Sequence, residues 1–235
     1  MNMSKEVSKK HTKGFTLVEL MIASTILIMV MLVGTYAYSL FAKKWDEQLG
    51  NVNQAMWQIK ELTLINSLLD GIVPLALFNQ REGKGFYFIG EQQSLIAISL
   101  QGLVNQDQPV VFSLSLQLQG NENVLIYREA STSTNLILNT QQQIRYQHQL
   151  VLLKGLKNIN FDYFGWPSFA VKARNSFEPS SRGPRASWYK KYNGQDAGLH
   201  PEKLTLSLGL VNGDIYFSSQ FTQNSEILLQ SYEGL

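Results

Sequence analysis

The sequence predicts an α+β protein in which one long N-terminal helix packs on antiparallel β-sheet. An apolar run opens the chain and passes into a stretch whose apolar positions recur at steps of three and four, up to about residue 69. From about residue 85 onward, apolar and polar side chains alternate in several segments. This alternation is typical of antiparallel strands that have one face exposed to solvent. The helix is expected to cover the apolar face of the sheet.

Composition and charge exclude several classes of protein. The chain has 235 residues, which is enough for one domain with an appendage or for two small domains. It has no cysteine, which excludes disulfides, thiol catalysis and cysteine zinc sites. Net charge is +2, and residues 1–14 carry about +3 of it (four lysines against one glutamate), so the remainder is close to −1. A near-neutral body argues against a nucleic-acid partner, which requires a basic face.

The apolar run is long enough to cross a membrane. From Phe15 to Phe41 there are 27 residues with one charged side chain, Glu19. About 20 apolar residues span a bilayer core as a helix. A secretory signal has an apolar region of only about 7 to 15 residues, which disfavours the alternative that residues 37–39 form a signal-peptidase site. We therefore assign residues 15–41 to a transmembrane helix.

The placing of the charges predicts the orientation of this span. The leader is rich in lysine, whereas residues 43–44, two lysines, are offset by the acidic residues 46–47. The positive-inside rule then places the N-terminus in the cytoplasm and the globular part beyond the inner membrane, in the periplasm.

The helix is expected to continue beyond the membrane through residues 42–72. Asp70-Gly71 and Pro74 are signals that end a helix. The same stretch can also be interpreted as a surface helix packed on its own domain, and the two interpretations are compatible. The apolar positions on one face are Leu49, Val52, Ala55 or Met56, Ile59, Leu62, Ile65 and Leu69.

Residues 73–235 are predicted to form a β-rich domain. Gly120-Asn121 and Asn212-Gly213 are turn signals between neighbouring strands. The predicted strands are 85–90, 94–101, 109–118, 123–130, 144–153, 158–164, 203–211 and 214–221.

One long segment, 173–203, lacks the strand pattern. It is rich in Gly, Pro, Ser and charge, and such long connections are often functional, although they are also often mobile. Trp188, Tyr189 and Tyr192 lie beside two lysines (190–191) and form an aromatic-basic cluster. Two interpretations remain open: a binding surface, or aromatic side chains that pin the segment to the domain.

The stretch from Lys13 to Glu19, KGFTLVE, resembles the processing site of type IV prepilins and type II secretion pseudopilins. The shared parts are a basic leader, a glycine, an aromatic residue and a glutamate as the fifth mature residue. The resemblance implies a pilin-like fold, and it implies that prepilin peptidase cuts between Gly14 and Phe15 in the cytoplasm and methylates the Phe15 amine. The leader, 1–14, would be lost and the apolar helix kept.

Glu19 is the unusual residue of the apolar run. A carboxylate in hydrocarbon costs about 2.5 kcal/mol or more unless it has a partner. The resemblance implies that the partner is the N-terminal amine of a neighbouring subunit, so that the pair sets the axial register between helices. The alternative is a carboxylate that reaches the cytoplasmic interface, since Glu19 lies only five residues into the run.

Two later stretches, 152–165 and 200–217, are similar to the J-type (PulJ-like) minor pseudopilin and to PilW-like minor pilins. Without its leader the chain has 221 residues (235 − 14), longer than the major subunits. The K-type is disfavoured because it typically lacks the glutamate. The resemblance implies a non-enzymatic subunit of the bacterial inner membrane that enters a filament, with other minor and major pilins or pseudopilins, prepilin peptidase and membrane lipid as partners. It would prime assembly at the tip of a type IV pilus or a type II secretion pseudopilus.

A search for catalytic, metal and cofactor motifs returns nothing specific. His148 lies between glutamines in a predicted strand, and we expect it to be solvated. His200 precedes a proline, and Asp196 and Glu202 flank it too loosely for a metal site. We therefore expect no enzyme activity, metal or cofactor. Two alternatives to a filament subunit remain: a membrane-anchored periplasmic binding or sensor domain, and a tip adhesin that uses segment 173–203.

Overall fold

The computed structural model describes residue 14 and residues 16–79, 83–177, 183–210 and 213–221. For residues 46–55, 57, 58, 79, 83 and 177 it describes the backbone only. The rest of the predicted leader and Phe15 therefore lie outside the described residues. The chain divides into two compact units, residues 1–56 and 57–235.

Helix α1, Leu17–Asp70, has 54 residues and confirms the predicted continuous helix. The first part of this helix, Leu17–Trp45, has 29 residues and a mean hydropathy of 2.4, so it is long and apolar enough to cross a membrane. None of this part is buried. The helix ends at the predicted signal, where the Gly71 N–H donates to the Ser67 carbonyl at 3.0 Å.

The apolar face of the second half of α1 is buried only near its end. Ile65 and Leu69 lie in the core, and Leu62 packs against it. Met56 and Ile59 belong to the predicted face, but each is 62% exposed. The side chains of the earlier positions, 49, 52 and 55, lie outside the described part. Periodicity locates a face, but it does not say how far along the helix a partner surface extends.

The second unit contains three antiparallel sheets. The six-stranded sheet has the order β10-β3-β4-β5-β6-β7, and the four-stranded sheet has the order β12-β11-β8-β9. Strands β1 and β2 form the third. The strands are β1 Ala76–Asn79, β2 Gly83–Phe86, β3 Ile89–Gly90, β4 Ser94–Ser99, β5 Val110–Gln119, β6 Glu122–Ser131, β7 His148–Lys154, β8 Asn158–Gly165, β9 Ser187–Tyr189, β10 Tyr192–Asn193, β11 Lys203–Leu210 and β12 Gly213–Gln220.

Most of the predicted strands are confirmed, with two changes. The segment 85–90 divides between β2 and β3, and the predicted strand 144–153 begins only at His148. The turn at Gly120 is confirmed: β5 and β6 pair on either side of it, and its φ of 65° is the left-handed conformation that glycine adopts readily. Asn212 lies outside the described residues.

One core joins α1 to the inner faces of both large sheets. Phe112 and Tyr127 come from the six-stranded sheet, and Phe161 and Leu206 from the four-stranded sheet. A second cluster covers the outer face of the six-stranded sheet, where Ile137 belongs to a segment, 132–147, that crosses the sheet without forming a strand.

Segment 173–203 is not an uninterrupted loop, contrary to the prediction. It contains the end of helix α2 (Phe169–Phe177), strands β9 and β10, and helix α3 (Gly194–Ala197). Strands of two and three residues are too short to show alternation, which is why the sequence pattern missed them. The Asn193 side chain caps α3 by accepting from the N–H groups of Gln195 and Asp196.

The two large sheets approach each other closely at β3. The Tyr163 hydroxyl donates to the Glu91 carbonyl at 2.8 Å, and the Phe161 N–H donates to the Gln92 carbonyl at 2.9 Å. A Cβ atom at Gly90 would overlap the Tyr163 ring. Glycine is therefore required at position 90 for this contact.

Gly90→Ala is expected to destabilise the protein by about 1 to 3 kcal/mol, because the added methyl forces the Tyr163 ring out of a packed core. Thermal unfolding of the full chain in detergent measures this. Gly34→Ala is the matched control, since a Cβ there meets no atom of the described residues within 4 Å apart from the nearby backbone of its own helix. Equal melting temperatures for both variants would contradict the required close approach.

Candidate functional site

The N-terminal site is built around a capping box. Thr16 directly precedes α1, and its hydroxyl oxygen accepts from the Glu19 N–H at 3.3 Å. In return, the Glu19 Oε2 atom accepts from the Thr16 N–H and from the Thr16 hydroxyl, each at 3.0 Å. Sequence reasoning missed this pair, although Thr16-x-x-Glu19 is the pattern by which a capping box is recognised.

The capping box leaves Glu19 half satisfied. All three of its hydrogen bonds use Oε2 or the main-chain N–H, and Oε1 has no partner among the described residues. A carboxylate in the first turn is also favoured by the positive end of the helix dipole. The fold thus lowers the cost of placing this charge at the start of an apolar helix.

The serine and threonine hydroxyls of the apolar run are satisfied within the helix. Ser24, Thr25, Thr35 and Ser39 each donate to a carbonyl three or four residues earlier, at 2.8 to 2.9 Å. Hydroxyls that bond their own helix impose little cost in lipid. Within residues 17–41, Glu19 is therefore the one charged group, and its Oε1 has no partner among the described residues.

The structure buries the members of the predicted aromatic cluster to different degrees. Tyr192 is buried, and its hydroxyl donates to the Trp166 carbonyl at 3.1 Å. Burial raises the pKa of Tyr192 above its ordinary value. Tyr189 is half-buried, whereas Trp188 is 52% exposed with its ring 5.3 Å from that of Phe164. Tyr192 therefore pins the segment to the domain, and Trp188 is the member that offers a surface.

The two lysines of the cluster are paired. Lys190 Nζ lies 2.6 Å from the Asp162 carboxylate, and Lys191 Nζ lies 2.6 Å from the Glu91 carboxylate. Both ammonium groups are largely exposed, so each pair contributes little stability, about 1 kcal/mol or less. The pairs link the connection between β9 and β10 to Asp162 in the middle of β8 and to Glu91 directly after β3.

A cleft of about 440 Å³ lies beside this connection. Tyr189 of β9, Lys191 and Asn193 line it on one side, and Glu91 and Asp196 line it on others. This volume falls within the range of small ligand sites.

His200 is a buried core residue rather than a metal ligand. Its ring packs edge-on against Phe88 and Phe221, with centroids 4.8 Å away in each case. Its Nδ1–H donates to the Pro201 carbonyl at 3.0 Å, and its Nε2 has no partner among the described residues. Burial lowers the pKa of His200 to about 4. His148 is exposed on β7, as expected.

A buried carboxylate that the sequence did not single out organises the loop after β4. Glu129 is fully buried; it accepts from the Tyr127 hydroxyl at 2.5 Å and from the N–H groups of Val104 and Asn105. Its partners lie on the same chain and satisfy both oxygens. We interpret Glu129 as a structural residue. The described residues contain no group of three or more His, Cys, Asp or Glu side chains placed to hold a metal ion.

Comparison with known proteins supports the interpretation of the N-terminal site. Residues 9–35 match the family of the prokaryotic N-terminal methylation motif. No curated protein matches the chain. The motif indicates a type IV pilin-like protein. Such a motif implies, in general, processing by prepilin peptidase and assembly with other pilins, and the apolar helix indicates anchoring in a membrane, as in pilins.

His200 is expected to make folding stability depend on pH. It is neutral in the folded protein, with a pKa of about 4, whereas in the unfolded chain it protonates near 6.5. Its contribution is therefore complete above about pH 6.5 and is lost as the pH falls toward 4, by up to about 3 kcal/mol.

Denaturant unfolding between pH 7.5 and 4.5 measures this contribution. His200→Phe keeps an aromatic ring and should reduce the loss of unfolding free energy as the pH falls. His148 is exposed, so His148→Gln should lose as much unfolding free energy as the parent chain. The assignment fails if parent and His200→Phe lose stability equally with pH.

Proposed function

We propose that this chain is a minor subunit of a type IV pilus or of a type II secretion pseudopilus, which joins other minor subunits at the filament tip and primes its assembly. The observation that carries the proposal is the methylation motif over residues 9–35, the later part of which forms the start of a helix of membrane-spanning length, Leu17–Trp45. The motif is specific because its parts have a fixed order and spacing. In the proposal, residues 1–14 are removed and Phe15 becomes the methylated N-terminus.

The Oε1 atom of Glu19, which has no partner among the described residues, supports a role in assembly. Within one subunit, Thr16 uses only Oε2. In the proposed filament, Oε1 accepts from the N-terminal amine of a neighbouring subunit, which removal of the leader has exposed. Two opposite charges that meet in a low-dielectric region recover much of their desolvation cost. Since the pair forms at one position along the helix, it also fixes the register between subunits.

The exposed apolar surface of α1 is the second support. Large side chains of Leu17–Trp45 are exposed, as are Met56 and Ile59 beyond the span. In the proposal, lipid covers the span before assembly and the helices of other subunits cover it in the filament. The leader lies in the cytoplasm and residues 73–235 lie in the periplasm.

The assignment to a minor subunit rests on the C-terminal half. The stretches similar to J-type minor pseudopilins and PilW-like minor pilins, 152–165 and 200–217, include β8 and β11, which pair with each other from Lys203↔Phe164 to Gly209↔Asn158. Two stretches far apart in the sequence thus form adjacent strands of one sheet, so the similarity covers one continuous piece of structure.

Replacement of Glu19 is expected to impair assembly but not membrane insertion. Glu19→Gln keeps an acceptor for the capping box yet carries no charge, and Thr16→Val removes the hydroxyl while keeping the charge. We expect at least a tenfold loss of sister subunits cross-linked to Glu19→Gln in membranes, and a smaller loss for Thr16→Val. Normal recovery of sister subunits with Glu19→Gln would exclude the charge pair.

A large side chain at position 14 is expected to block maturation. Gly14 is exposed and directly precedes the proposed cleavage point. Gly14→Leu should accumulate as the precursor, which migrates more slowly in a gel, whereas Gly34→Ala in the span should mature as the parent does. Complete maturation of Gly14→Leu would favour the alternative, a membrane-anchored domain with an uncleaved N-terminus.

A further inference from the structure

We propose that the cleft beside β10 binds an extended peptide segment of a partner protein, and that a basic side chain of this segment pairs with Asp196. The cleft lies between strands that end two different sheets. Strand β9 is the edge of the four-stranded sheet, and β10 is the edge of the six-stranded sheet. The chain passes from one edge to the other through Lys190 and Lys191 alone.

The main chain of β10 has hydrogen-bonding groups available on the side of the cleft. The Gly194 N–H donates to the Phe88 carbonyl at 2.8 Å, and the ladder pairs Asn193 with Ile89. Bonded and non-bonded pairs alternate in an antiparallel ladder, so the Asn193 N–H points away from β3, whereas its C=O, at the N-cap of α3, accepts the first hydrogen bond of that helix. Lys191, two residues earlier, faces the same way, and both residues line the cleft. An extended peptide can add to such an edge.

The charges of the cleft select a cationic side chain. Lys191 is already paired with Glu91 at 2.6 Å. The Asp196 carboxylate is exposed and has no partner among the described residues. Among the lining residues it is therefore the charge left uncompensated. The rest of the lining includes the aromatic side chain of Tyr189. The aliphatic part of a lysine or arginine side chain can pack against this ring, and the positive charge of that side chain can interact with the ring face.

The cleft proposal is independent of the filament role. None of its residues belongs to α1, and the processing site and Glu19 lie in the other unit of the chain. A failure of peptide binding therefore leaves the assembly proposal standing, and a failure of assembly leaves the peptide site standing.

The test uses the full chain in detergent and dye-labelled, N-acetylated pentapeptides, with anisotropy as the readout. The first peptide alternates valine and lysine, the second alternates valine and glutamate, and the third is the lysine peptide with N-methylated main-chain amides. We expect saturable binding of the first peptide and at least tenfold weaker binding of the other two. Binding of the glutamate peptide with equal affinity, or no binding of the lysine peptide, would overturn the proposal.

Variants locate the binding within the fold. Asp196→Asn should weaken the lysine peptide at least tenfold, and Asp196→Lys should abolish its binding. Asp107→Asn is the matched control, because Asp107 is exposed on a loop and does not line the cleft. Unchanged affinity of a folded Asp196→Asn variant would place the peptide elsewhere and refute the site.

Discussion

A single carboxylate at the start of a membrane-length helix is the constraint on which this account depends. Leu17–Trp45 is apolar enough to span a bilayer, and its serine and threonine hydroxyls are satisfied within the helix. Glu19 is the one charged residue of the stretch 17–41, and the fold tolerates it because Thr16 supplies two donors to one of its oxygens. In the proposed filament, a carboxylate that is half satisfied by its own chain accepts the positive group of a neighbouring subunit with its other oxygen.

The second unit provides the folded body that this helix carries. The last turns of α1, with Ile65 and Leu69, enter the core that both large sheets share. The two sheets are joined at Gly90 and Tyr163, close to the cleft. Apolar burial by the helix end and the sheets therefore fixes the positions of β9 and β10, and these strands in turn fix the charges that line the cleft.

The sequence was sufficient for the parts of the fold that follow from long periodic patterns. The end of α1 at Asp70 and the pairing of β5 with β6 around Gly120 were predictable because a glycine signal stood at the right place. The two-residue strand β10 was not predictable, since so short a strand shows no period. The burial of Tyr192 and Glu129 depends on contacts between residues far apart in the chain, which no local pattern reports.

The central claim is that the apolar helix becomes the N-terminus of the mature protein. The most direct measurement is the intact mass of the chain purified from the membranes of its own organism, combined with sequencing of its first residues. The account predicts a protein that lacks residues 1–14 and begins at a methylated Phe15. A protein of all 235 residues that still begins at Met1 would contradict it.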